Sequence, residues 1–125
     1  MSERATWMVV DLGFGDCGKG TTVDFLARDI LARGKGGTDP IHVVRANGGA
    51  QAGHNVVDGD GRHHCFAQFG AASFLEDART HHGPHFVLEP LALLEGAARL
   101  SRLGVRDVLG RWTIDGRALV TTPYE

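Results

Sequence analysis

The stretch DLGFGDCGKG, residues 11 to 20, constrains the fold more than any other part of the chain. Its glycines lie between TWMVVDL (6–12), an apolar run that reads as a buried strand, and a helical pattern carried by Val23, Leu26, Ala27, Ile30 and Leu31. Gly34, Gly36 and Gly37 then end the helix. A turn between strand and helix leaves backbone N–H groups and the positive end of the helix dipole facing outward, an arrangement suited to phosphate. Gly13, Gly15 and Gly18 fit G-x-G-x-x-G, while Gly13 through Lys19 fit the first seven positions of G-x-x-x-x-G-K. A tight turn with no ligand would use the same glycines.

Lys19 favours the triphosphate template over the dinucleotide one. A dinucleotide site relies on backbone and an acidic residue at the end of the next strand, whereas the next strand here, IHVVR (41–45), ends in Arg45. A lysine directly after the last loop glycine puts a point charge on a terminal phosphate. The loop still departs from the regular pattern, because Gly20 stands where a Ser or Thr would hold magnesium, with Thr21 and Thr22 displaced along the chain. Asp16, a hard carboxylate inside the loop, is the candidate magnesium ligand.

Further along, the glycine-rich ANGGAQAGHN (46–55) follows the second strand, HCFAQF (64–69) and HFVLE (85–89) read as short strands, and ALVTTP (118–123) reads as a last one. Pro90 opens a helix with Leu91, Leu94 and Ala98 on one stripe and Leu93, Ala97 and Leu100 beside it, stopped by Gly104. The leucine stripe reads as core. Strands alternating with helical patterns predict an α/β fold, a P-loop-like, mainly parallel sheet with flanking helices. The chain of 125 residues is long enough for one domain, and it ends just after a strand with no covering helix, as part of a larger domain would.

Composition narrows the function classes. A net charge of −2 offers no general attraction to nucleic acid or anionic lipid, so phosphate binding has to be local. No apolar run reaches membrane-spanning length and the amino terminus lacks a secretory pattern, which points to the cytoplasm. Cys17 and Cys65 have no metal or redox spacing and read as free thiols, although Cys17, at a helix N-terminus, is a place for a lowered thiol pKa. His63, His64, His81, His82 and His85 lack metal-site spacing and read as solvent-facing loop histidines. Arg45 reads as the end of a strand, with a phosphate role open.

GDCGKGT (15–21), VVRANGGAQAGHNVV (43–57), GPHFVLEPLALLEGAARL (83–100) and VTTPYE (120–125) together resemble the adenylosuccinate synthetase family. Its corresponding patterns are G-D-E-G-K-G-K, V-V-R-x-x-G-G-x-N-A-G-H-T, G-N-G-V-V-(I/L)-x-P-x-A-L-x-x-E and a strand ending in P-Y-H. The resemblance implies a GTP-dependent ligase that joins L-aspartate to IMP, with magnesium as cofactor, working as a homodimer in the cytoplasm. It further implies that residues 1–125 are the amino-terminal part of a GTP and purine-nucleotide domain, inactive alone. A non-catalytic or differently specific GTP-binding module is the alternative.

By position, Asp16 matches the base that deprotonates the purine and also binds magnesium, and His54 matches the histidine that assists γ-phosphate transfer. The Gly53 carbonyl matches a second magnesium ligand. Gly15, Asp16, Cys17, Gly18, Lys19, Gly20 and Thr21, with Gly53, His54 and Asn55, match the GTP phosphate contacts. Asp16 to Lys19 and Gln51, Ala52, Gly53 and His54 match those to the purine nucleotide. Cys17 stands for the family's loop glutamate, Thr21 for its second lysine, Gln51 for an asparagine, Asn55 for a threonine and Glu125 for the histidine of P-Y-H.

Overall fold

The computed structural model describes residues 5–34 and 39–124. Helix α1 spans Lys19–Ala32 and strand β1 Ile41–Gly48. A hairpin follows, β2 at His54–Val57 and β3 at His63–Phe66. Strand β4 (Ala78–Leu88), helix α2 (Pro90–Arg102), a 3-10 turn (Leu109–Arg111) and the short strands β5 (Trp112–Ile114) and β6 (Leu119–Val120) complete the order.

β4 is the shared strand. It pairs in parallel with β1 from Ile41↔Ala78 to Gly48↔Phe86, with β5 at Thr80 to His82, and with β6 at Val87 and Leu88. β2 and β3 form a separate antiparallel pair. The mixed α/β architecture with a mainly parallel sheet matches the pattern in the sequence, and β4 is longer than the HFVLE segment alone implied.

α2 buries Leu93, Ala97 and Leu100, positions i, i+4 and i+7, against Phe66, Phe69 and Phe74 from the hairpin side. Fully burying each of the larger side chains contributes roughly 1.5–3 kcal/mol. Leu91 and Leu94 are exposed, so only one of the two stripes is core. The helix turns that face inward because Pro90 sets its first turn and the segment after it closes back through Val105 N–H on the Leu100 carbonyl.

Residues 6–12 form no strand, contrary to the reading of TWMVVDL, and Trp7, Met8, Val10 and Leu12 are exposed. An apolar run becomes a strand only where a sheet edge accepts its backbone. Both flanks of β4 are taken and the outer edge of β1 pairs with no described strand, while Asp11 ties the segment to the start of α1. The glycines at 36 and 37 lie outside the described residues. No helix among those described is long and apolar enough to cross a membrane.

The histidines also differ from the expectation. His63 and His64 lie on β3, and His81, His82 and His85 on β4, with His64 and His82 buried. His82 donates Nε2–H to the Gln68 carbonyl at 2.6 Å and accepts Trp112 Nε1–H on Nδ1 at 3.1 Å. Its ring stacks on Phe86 with centroids 3.7 Å apart. This histidine is a neutral core strut between β4, β5 and the loop after β3. Burial, with smaller contributions from Arg45 and His81, holds its pKa below the ordinary 6.5.

A group whose folded pKa is depressed takes up protons more readily when unfolded, so its contribution is lost as pH falls below the unfolded value. Urea midpoints should therefore drop between pH 7.5 and 5, and His82→Gln should flatten that slope, leaving the share of His54 and His64. A slope unchanged by the substitution would remove His82 from the account.

Candidate functional site

The glycine loop reaches α1 through three residues of positive φ, Gly15 at 95°, Asp16 at 51° and Gly18 at 76°. Gly18 occupies the N-cap in the left-handed region, where its missing side chain leaves the first turn of the helix open. Its carbonyl accepts both the backbone N–H and the hydroxyl of Thr22, at 2.9 Å each, which anchors the first turn. The N–H groups that precede Thr22 in the helix have no intrahelical acceptor by construction. Asp16 is exposed at the loop crest, and its carboxylate makes no hydrogen bond among the described residues.

Gly20 is where the loop meets the second glycine-rich segment. A Cβ built on it would lie 2.5 Å from His54 Cβ, closer than carbon atoms pack. This contact accounts for glycine where a P-loop has Ser or Thr. Thr21 reinforces it by donating its hydroxyl to the Asn55 carbonyl at 3.3 Å. Lys19, Gly20 and Thr21 therefore sit beside His54 and Asn55, two sequence-predicted clusters brought together. No hydrogen bond or ion pair joins Asp16 to His54 among the described residues.

His54 begins β2, and its imidazole pKa is lowered by burial first and then by the positive charges of Arg45 and Lys19. Gly53 is pressed against β3, since a Cβ there would collide with Cys65 Sγ. Gln51 is exposed, and Asn55 Oδ1 lies 3.1 Å from His63 Nε2. Both cysteines are free thiols. Cys17 does not have the lowered pKa its helix position suggested, because the neighbouring Asp11 carboxylate, followed by burial, pushes the thiol up.

Arg45 is the residue whose weight the sequence concealed. The residue is 7% exposed, and its guanidinium donates Nη1–H to the carbonyls of Phe66 (3.1 Å) and Phe69 (3.3 Å) and Nη2–H to that of Ala52 (2.9 Å). Burial pushes its pKa down to about 10. Holding the Ala52 carbonyl fixes the peptide that leads into Gly53 and His54. Asp11 is the other omission, readable as an Asx turn two residues ahead of Gly13, since Asx side chains commonly cap the amide two residues on.

Among the described residues no three His, Cys, Asp or Glu side chains gather into a metal cage. The donors present suit magnesium of another kind. Magnesium commonly takes one or two carboxylates and fills its octahedron with water and substrate phosphate, and the hard carboxylate of Asp16, exposed and with no hydrogen bond among the described residues, is a donor of that kind.

Fold and loop together define the class, an α/β protein of P-loop type with the loop at the N-terminus of its first helix. The sequence profile of the adenylosuccinate synthetase family matches residues 8–125, and the chain belongs to that family. It is 36% identical over 111 residues to the adenylosuccinate synthetase of Methanococcoides burtonii, covering 89% of this chain and 23% of the relative. Against that of Leishmania major it is 35% identical over 118 residues, 94% of this chain and 15% of the relative. The solved structure of fully ligated adenylosuccinate synthetase from Plasmodium falciparum superposes with a TM-score of 0.64 at 23% identity, covering 85% of this chain and 22% of that one. The chain thus spans less than a quarter of the length of these relatives.

Gly20→Ala measures the contact at the centre of the site. Helix propensity would favour alanine by roughly 0.5–1 kcal/mol, but overpacking costs about 1–3 kcal/mol. Net destabilisation near 1 kcal/mol is expected by urea denaturation, with a displaced His54 imidazole signal in NMR. A more stable variant with an unmoved signal would mean that His54 does not pack there.

Proposed function

We propose that this chain is the amino-terminal part of an adenylosuccinate synthetase-type ligase. The intact enzyme joins L-aspartate to IMP, or a closely related 6-oxopurine monophosphate, while GTP becomes GDP and phosphate. The observation that carries the reading is the packing of Gly20 on His54. It supports the reading because the glycine loop and His54 lie side by side in a chain of this family.

The reaction must turn a purine carbonyl oxygen into a leaving group. In this reading the Asp16 carboxylate removes the N1 proton, and the resulting 6-oxyanion attacks the γ-phosphorus as the bond to GDP breaks. His54 donates a proton toward the migrating phosphoryl group, and Lys19 with the first amides of α1 holds phosphate charge. The aspartate amine then adds at C6 and phosphate departs. Asp16 and the Gly53 carbonyl would hold magnesium, which would neutralise charge at the phosphates. Asp16 is well suited to its task because the positive-φ loop presents its carboxylate outward, unspent on internal hydrogen bonds.

The test follows phosphate release from GTP by the intact enzyme with L-aspartate, magnesium and single purine monophosphates. Release that requires both aspartate and one 6-oxopurine monophosphate is the expected result; release indifferent to both would replace the ligase with a GTP-binding module.

Two substitutions probe the roles. Asp16→Asn keeps shape and loses the base, so turnover should fall by at least the 10²–10⁴-fold typical of a lost general base, with the fold retained by circular dichroism. Near-normal turnover would reassign the proton transfer. Lys19→Ala should weaken GTP binding more than IMP binding in titration calorimetry, and equal losses would count against its place on the triphosphate.

A further inference from the structure

Lys19 is not free to meet a phosphate in this structure. Asp11 Oδ2 accepts its ammonium proton at 2.6 Å while Asp11 Oδ1 accepts the Gly13 backbone N–H at 2.7 Å. The carboxylate side chain is 12% exposed and that of the lysine 30%. One loop amide and one lysine ammonium are the donors a glycine loop offers to a phosphate oxygen. Cys17 braces the arrangement, with Sγ 3.1 Å from the Gly15 carbonyl and so close to Gly13 that a Cβ there would lie 2.8 Å from the sulfur. The lysine, then the Cys17 thiol and the Gly13 amide hold the Asp11 carboxyl at a pKa of about 2, so it is ionised throughout the neutral range.

We propose that Asp11 is an internal anion of the phosphate loop, tethered to Gly13 and Lys19, which tunes affinity because a ligand phosphate must either displace it or bind beside it. Either route costs affinity. Displacement breaks a charge-assisted hydrogen bond, and binding beside Asp11 sets like charges within a few ångströms. The inference rests on reading the loop as a phosphate site, and it assigns the residue that limits how tightly the site holds polyanions. Asp11 acts through Lys19 and takes no part in bond making. It is a specificity-determining residue, and Asp16 keeps the chemistry.

Asp11→Asn isolates the charge, because the amide oxygen still caps the Gly13 N–H. Titration calorimetry with inorganic tripolyphosphate and, separately, GTP compares the wild-type chain, Asp11→Asn, Lys19→Ala and the double variant, with circular dichroism to verify folding. Asp11→Asn should bind tripolyphosphate about fivefold more tightly, the scale of a partly exposed charge pair. The gain should shrink with added salt and vanish when Lys19 is alanine.

Unchanged or weaker binding by Asp11→Asn overturns the proposal, as does an equal gain without Lys19 or a failure of both proteins to bind tripolyphosphate. Reductive methylation gives a ligand-free reading, since the Lys19 amine should react faster in Asp11→Asn; an equal rate says that the pair does not form. Tripolyphosphate carries no base. A gain there without aspartate-dependent phosphate release in the intact enzyme would therefore sink the ligase reading and leave Asp11 in its role.

Discussion

The arrangement depends on one buried cation. Arg45 lies inside β1, which runs on to Gly48 past the end that IHVVR suggested, and its side chain enters a space walled by Phe86, whose ring lies 5.6 Å from its guanidinium carbon. Among the described residues no carboxylate pairs with it. A charge so placed is costly unless hydrogen bonds satisfy it, and carbonyls alone provide them here. Those carbonyls come from the end of β3, the loop beyond it and the segment just before β2. One side chain therefore holds three backbone stretches that have no sheet pairing with β1, and the satisfied carbonyls are the reason the cation can stay.

The consequences reach the candidate site. With the Ala52 carbonyl fixed, Gly53 can back onto Cys65 and His54 can close on Gly20, leaving no room for side chains at either glycine. These two glycines are needed for close approach, while Gly18 is needed for its positive φ. The segment that carries Gly53 and His54 is thus positioned through packing on α1 and through Arg45, and neither depends on the loop sequence itself. Electrostatics runs the same way, since Arg45 and Lys19 both bear on the His54 imidazole.

Much of this was legible in the chain. Both helices could be read because their apolar spacing and punctuation agree, Gly18 before α1 and Pro90 at the start of α2. β1 could be read from its β-branched run. The amino-terminal segment has the same composition and forms no strand, because pairing is a property of the neighbouring edge and composition does not report it. His82 looked like its half-buried neighbour His81, and only the Gln68 carbonyl and the Trp112 indole, remote in sequence, make it a core residue. In the site, the loop residues, Gly53 and His54 were visible as motifs. Arg45 was read as a strand end with a phosphate role open and Asp11 was not singled out, because the importance of both lies in what they touch. The exposed leucines of α2 show the same limit, since two adjacent stripes fit the helical period and packing chose one.

The parallel pairing of β1 with β4 has a kinetic consequence. Ile41 finds Ala78 across a long crossover that contains the whole hairpin, so the sheet cannot zip until that loop has closed. Helix α1 and the β2–β3 hairpin are built from local contacts and form quickly by comparison. The carbonyls that receive Arg45 all belong to the crossover. Sheet closure and burial of the guanidinium are then the same late event. A newly made chain would display its phosphate loop well before His54 is locked in place, and a phosphate ligand that bridges the two would draw the last step of folding forward.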